Sequence, residues 1–81
     1  MALTSAQCRA ARALLQWTQQ DLARSTGISA VSIRAFERGG QMRQSNRTIL
    51  RQALEEAGIE FIPENGGGPG ARLREADKST E

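Results

Sequence analysis

Histidine is absent from the 81 residues, and cysteine occurs once, at Cys8. Without histidine the commonest general base is missing, and a zinc site would have to be assembled from carboxylates. A single cysteine excludes an intrachain disulfide, so a core this small must hold by packing, helped by dimerisation. Long apolar runs are missing too: nothing approaches the roughly 18 residues of a membrane span, and the first residues lack the basic-then-apolar order of a signal peptide. The expectation is one small cytoplasmic domain with no metal, cofactor or membrane partner, too short to include an effector-binding domain. No paired carboxylates fall at motif spacing, and Cys8 sits on an apolar helical stripe as a small buried hydrophobe. The chain is therefore not read as an enzyme.

What is present is arginine, unevenly spread. Residues 1–54 hold eight arginines against Asp21 and Glu37, a net of +6, whereas residues 55–81 hold Arg72, Arg74 and Lys78 against seven carboxylates, a net of −4. A guanidinium-rich front suits a polyanion, since the planar fork holds phosphate or a guanine edge bidentately. On charge alone, a solvated basic face without a partner fits equally well.

Four helices are predicted in residues 1–58. Thr4 or Ser5 caps the first, whose Cys8, Ala11, Leu14 and Leu15 recur at helical spacing to about Gln16, with Trp17 as a core anchor in the connection. Thr18 opens a capping-box-like "TQQD", and the second helix runs to about Ser25. Gly27 then supplies a positive backbone angle, Ile28 turns inward, and Ser29 caps a third helix from Ala30 to Arg38, stopped by Gly39-Gly40. Ser45 or Asn46 is expected to cap a fourth, carrying Ile49, Leu50, Ala53, Leu54 and Ala57 as far as Gly58. Beyond it, "IEFI" and "ARLR" read as strands around the turn-rich "PENGGGPG", and "EADKSTE" as a disordered tail. The "GGGPG" run lacks the Lys-Ser or Lys-Thr of a phosphate loop and is read as a flexible turn. The expected division is a helix-turn-helix domain at 1–58, a strand-like dimerisation segment at 59–74 and a tail at 75–81.

The second and third helices are each too short to persist alone in water, where isolated helices below about 12 to 15 residues are marginal. Their crossing must be fixed by the rest of the chain, through Leu22, Ala23, Gly27, Ile28, Ile33 and Phe36. Such a pair lets one helix brace across a DNA backbone while the other lies in the major groove. The segments "RAARALLQWTQQDLA" and "GISAVSIRAFERG", in this order and at this separation, resemble the lambda-type repressor and Cro helix-turn-helix (XRE) family over about Gln7 to Leu54.

That resemblance implies an all-α, four-helix lambda-repressor-like DNA-binding domain. Here a short C-terminal β appendage replaces the fifth helix with which family members commonly continue. It further implies a partly buried ion pair, Arg12 with Glu37, tying helix one to helix three. Groove-facing positions fall on Gln19, Ala30, Val31, Ser32, Arg34 and Ala35, and backbone clamps on Thr18, Gln19, Arg38, Arg43, Ser45, Asn46 and Arg47. Ala30, Val31 and Ala35 are small and apolar where family members often carry long polar side chains. They suit thymine methyl groups, while Arg34 suits O6 and N7 of guanine and Gln19 a phosphate or an adenine. Val31 is left open between groove and core, and Arg9, Arg24 and Arg51 read as plain solvated charge.

The expected function is a sequence-specific regulator of transcription, a repressor that occludes a promoter, with double-stranded DNA and a second copy of itself as partners. Its control would come from concentration, autoregulation or a partner protein. Ile59, Phe61, Ile62 and Leu73 are expected to build the homodimer through strand edges, with an intrachain hairpin that caps its own core while dimerisation uses helix four as the competing arrangement. The competing function is an antitoxin or antiactivator-type protein-interaction module on the same scaffold.

Overall fold

The computed structural model describes residues 2–74; the expected tail at 75–81 lies outside the described residues. Three helices begin on side-chain caps. Ahead of α1 (Ser5–Leu15) the Thr4 hydroxyl accepts from the Gln7 amide at 3.0 Å, and the Gln7 side-chain oxygen accepts from the Thr4 amide at 3.1 Å. Thr18 and Asp21 repeat this reciprocal box at the start of α2 (Gln19–Thr26), both bonds at 2.9 Å. For α3 (Ala30–Glu37) the Ser29 hydroxyl accepts from the Ser32 amide at 3.1 Å. Each cap satisfies amides that a helix start otherwise leaves open.

The fourth helix, α4 (Gln44–Glu56), departs from the expectation: Arg43 is its N-cap, and no side chain closes it. Ser45 and Asn46 lie inside the first turn instead of capping it. Gly40 itself is held by close approach. Its amide donates to the Ala35 carbonyl at 2.9 Å, and a Cβ there would sit 2.8 Å from the same oxygen.

Two further turns set the helix directions. Gln16 ends α1 in the left-handed region at φ 59°, which allows the Trp17 amide to reach back to Arg12 O at 2.9 Å. Gly27 ends α2 at φ 81°, a conformation that glycine alone adopts without penalty.

The core gathers one or two residues from every helix and adds two from outside them: Leu3, Cys8, Ala11, Leu22, Ile33, Phe36, Leu50, Leu54 and Ile59 are buried. Trp17, Ala23, Ile28 and Met42 pack partly against them. No helix among the described residues is long and apolar enough to cross a membrane.

Strands β1 (Ile59–Ile62) and β2 (Gly70–Leu73) form an antiparallel hairpin, with Ile59 opposite Leu73 and Phe61 opposite Ala71. Directly opposed residues share a face, and that face turns onto the helices: Ile59 is fully buried, and Phe61 and Ala71 pack on the core. The assignment of Ile59 to a subunit contact is therefore corrected. Its side chain completes the core of its own chain, worth about 1.5–3 kcal/mol, and is not offered to a second copy. Ile62 is half-buried, and Leu73, at 47% exposure, is the open residue of the set.

Two side chains outside the strands fix the hairpin. Buried Gln7 donates through Nε2 to Gly70 O at 3.1 Å and Ile62 O at 3.5 Å, so the residue that boxes α1 also ties down the appendage. In the connecting turn, Glu64 Oε2 accepts from the Gly66 and Gly68 amides at 3.0 and 3.1 Å.

Candidate nucleic-acid interface

The orientation of α3 rests on one buried carboxylate. Glu37, only 3% exposed, receives Arg12 bidentately, Nε to Oε2 and Nη2 to Oε1, both at 2.8 Å. Gln19 Nε2 adds a bond to Oε1 at 3.0 Å, and the Cys8 thiol donates to Oε2 at 3.2 Å. Arg12 also donates through Nη1 to Trp17 O at 2.9 Å. Four segments (α1, the α1–α2 connection, α2 and α3) thus meet at one ion pair.

Burial raises the Glu37 pKa, but the hydrogen bonds from Arg12, Gln19 and Cys8 together with the Arg12 charge outweigh it and hold the carboxyl below the ordinary glutamate range. Burial, then the adjacent carboxylate, pushes the Cys8 thiol upward, so it stays protonated and unreactive. Arg9, expected to be a free charge, donates to the Glu37 carbonyl at the end of α3. Arg24 pairs with Asp21 and Arg51 with Glu55, each along its own helix.

With its inner side so anchored, α3 leaves its outer side bare. Val31 is 78% exposed and is thereby a surface residue. Ser32, Arg34 and Ala35 are exposed with it, and Ala30 is half-buried. Shallow hollows flank this ridge on both sides. One, of about 330 Å³, is lined by Thr18, Gln19, Gln20, Ala30, Val31 and Arg34. The other, of about 280 Å³, is lined by Ser32, Ala35, Gln41, Met42, Arg43 and Asn46. Gln20, Gln41 and Met42 were not among the expected contacts. Gln20 adjoins Gln19 at a helix start, which was a usable signal; Gln41 and Met42 reach the site only through the Gly40 turn, which was not.

Arginines divide into two sets. Arg12, Arg24, Arg51 and Arg72 are in ion pairs. No ion pair or side-chain hydrogen bond among the described residues reaches Arg34, Arg38 or Arg43, all exposed and all on α3 or the loop after it. Beside them, half-buried Arg47 has a buried Nε with no hydrogen-bond partner, and α4 opens there without a side-chain cap. Uncapped amides, an unsatisfied guanidinium donor and three unpaired arginines make this end of the molecule an acceptor of negative charge.

A further hollow, about 500 Å³ and open, is lined by Gln52, Glu55, Glu56 and Arg74. Two carboxylates against one cation make it unsuited to phosphate. No group of three potential metal ligands occurs among the described residues.

A family model described as helix-turn-helix matches residues 9–55. The matched segment contains all of α2, α3 and the turn between them, together with Arg12 and Glu37. No curated protein matches the chain.

Proposed function

From the premise that the chain belongs to the lambda-repressor/Cro-type helix-turn-helix family of DNA-binding regulators, we propose that it is a homodimeric repressor whose α3 lies in the major groove of operator half-sites. The observation that carries this reading is the segregation of arginines: Arg34, Arg38 and Arg43, on α3 and its following loop, have no ion pair or side-chain hydrogen bond among the described residues, while Arg12, Arg24, Arg51 and Arg72 are in ion pairs and Arg9 and Arg74 donate to backbone carbonyls.

In this reading Arg34 reads a guanine edge, and Ala30, Val31 and Ala35 meet pyrimidine methyl groups. Thr18 and Gln19 brace one phosphate strand from the start of α2. Arg38, Arg43, Ser45, Asn46 and Arg47 clamp the other. Because the Gln19 amide nitrogen is engaged by Glu37, its phosphate contact comes from the backbone amide at the helix start. Ser32 is a minor contributor, with its hydroxyl bonded to that of Ser29 at 3.0 Å.

The dimer forms through the hairpin. The Arg74 amide bonds Gly58 O, so alternation along the ladder turns the backbone groups of Phe61, Ala71 and Leu73 outward. Leu73 is the exposed apolar contact, with half-buried Phe61 its diagonal neighbour on the same face and Ile62 at the far end of the ladder opposite Gly70. A single module contacts too few base pairs for strong specificity, and pairing two of them on half-sites about 34 Å apart is the remedy. Occupying the operator blocks polymerase, and such a chain regulates its own promoter readily because its activity follows its concentration.

Selection of bound sites from random duplex DNA tests the reading, with sedimentation of the chain and of Leu73→Glu alongside. A twofold-symmetric consensus and a Leu73→Glu monomer that still folds are expected. Absence of any enriched sequence, or of a salt-dependent affinity for DNA, would instead favour a protein-interaction module of the antitoxin or antiactivator kind.

A further inference from the structure

The exposed side of α3 is short of polar groups that are free to read bases. Gln19 donates through Nε2 to Glu37 at 3.0 Å, and the short Ser32 side chain accepts from the Ser29 hydroxyl at 3.0 Å. Arg34 is the long polar side chain of that face left without a partner among the described residues. Next to it stands Val31, 78% exposed, the barest large apolar side chain in the described structure. Val31 precedes Arg34 by three residues and Ala30 by four, so all three occupy one helical face. Together they line the same hollow of about 330 Å³.

This juxtaposition rests on the major-groove reading above and carries it one step further. A guanidinium bonded to O6 and N7 of guanine lies in the plane of that base. On the 5′ side of the guanine, one base step of about 3.4 Å away, a pyrimidine directs its C5 position into the same groove. A methyl group there meets the arginine stem and whatever apolar side chain stands one helical turn earlier, which here is Val31. We propose that Ala30, Val31 and Arg34 form a composite site for a C5-methylated pyrimidine followed by guanine. The chain then reads a two-base step, as thymine–guanine or as 5-methylcytosine–guanine, in place of a lone guanine. Unmethylated cytosine or uracil at the first position leaves Val31 facing water.

The test begins with the consensus selected by the full chain, in which the guanine that loses its importance in Arg34→Ala marks the step. Four duplexes are then compared at fixed salt, carrying thymine, uracil, cytosine or 5-methylcytosine immediately 5′ of that guanine. Thymine over uracil and 5-methylcytosine over cytosine should each bind about three- to fivefold tighter, the effect of burying one methyl group. In Val31→Ser, checked for an unchanged melting curve, both preferences should fall to within about twofold of unity. Preference in the thymine pair alone would assign the site to thymine, and preference in both pairs would make binding sensitive to cytosine methylation. Equal affinity within both pairs, while Arg34 still selects guanine, would overturn the composite site and leave the groove reading intact. A methyl preference that survives Val31→Ser would overturn the assignment to Val31. If Arg34→Ala weakens all sequences equally, the groove reading fails, and the composite site fails with it.

Discussion

Replacing Arg12 by methionine keeps most of the side-chain volume and removes only the charge and its three hydrogen bonds. Glu37 then remains, 3% exposed, with Gln19 and Cys8 as its remaining donors. Breaking one side of a buried pair costs about 3–5 kcal/mol, because the surviving charge is uncompensated. Folded domains hold about 0.05–0.15 kcal/mol per residue, so a chain of this length has about 4–12 kcal/mol in total and the variant loses a large fraction of it. The melting temperature should fall by about 12 °C or more. Arg12→Met combined with Glu37→Leu should recover most of this, ending within about 1–2 kcal/mol of the parent.

Acidification gives an independent sign. In the parent the Glu37 pKa is lowered, so its contribution is present above the ordinary glutamate value of about 4.3 and is lost as pH falls through the native value. In Arg12→Met, burial is opposed only by the hydrogen bonds from Gln19 and Cys8, and the pKa is expected to rise above the unfolded value. The folded variant then takes up a proton first, and its deficit narrows as pH falls from 7 toward 5. Asp21 and Glu60 are also lowered, in both proteins alike, so the difference between the two melting series isolates Glu37. A deficit under about 1 kcal/mol at pH 7, or one that widens on acidification, would refute the reasoning.

Three other outcomes are expected. Arg34→Ala should cost about 1–3 kcal/mol on the selected operator and little on scrambled DNA, while Arg43→Ala or Arg47→Ala should weaken all sequences and each reduce the salt slope by about one; titrations at several salt concentrations separate these. Gln7→Leu should loosen the hairpin from α1, seen as faster hydrogen exchange at the Arg74 amide, with the amides of α2 and α3 unaffected; uniform exchange across the chain would contradict the tether. Gly27→Ala should destabilise by about 1–2 kcal/mol from the backbone alone, since a Cβ at φ +81° meets nothing within 4 Å; a larger loss in urea unfolding would indicate an obstruction that the geometry lacks.

The helices, their order and two of their three side-chain caps were legible because they depend on neighbours. Thr18 and Asp21, Ser29 and Ser32, and the positive angle at Gly27 are all settled within four residues. Apolar spacing gave Cys8, Ala11, Leu22, Ile33, Phe36, Leu50 and Leu54 as core for the same reason. Ahead of α4, local chemistry misled. Ser45 and Asn46 are good caps by type, but the chain enters the helix at Arg43.

Tertiary structure decided the rest. Val31 was undetermined from spacing alone, since an apolar residue on a short helix faces core or solvent according to what packs beside it, and nothing packs there. Ile59 looked like an open strand residue until β1 folded onto the helices and buried it. Arg9 looked solvated, and nothing local marked Gln7, beyond its capping-box spacing from Thr4, as a tether for the hairpin. Both gain their partners, Glu37 and the carbonyls of Ile62 and Gly70, from segments 28 to 63 residues away. A sequence fixes which side chains can bond or bury and pairs Arg24 and Arg51 within their own helices, but distances that long are closed by packing, which gave Arg12 its partner and left Arg34, Arg38 and Arg43 facing outward.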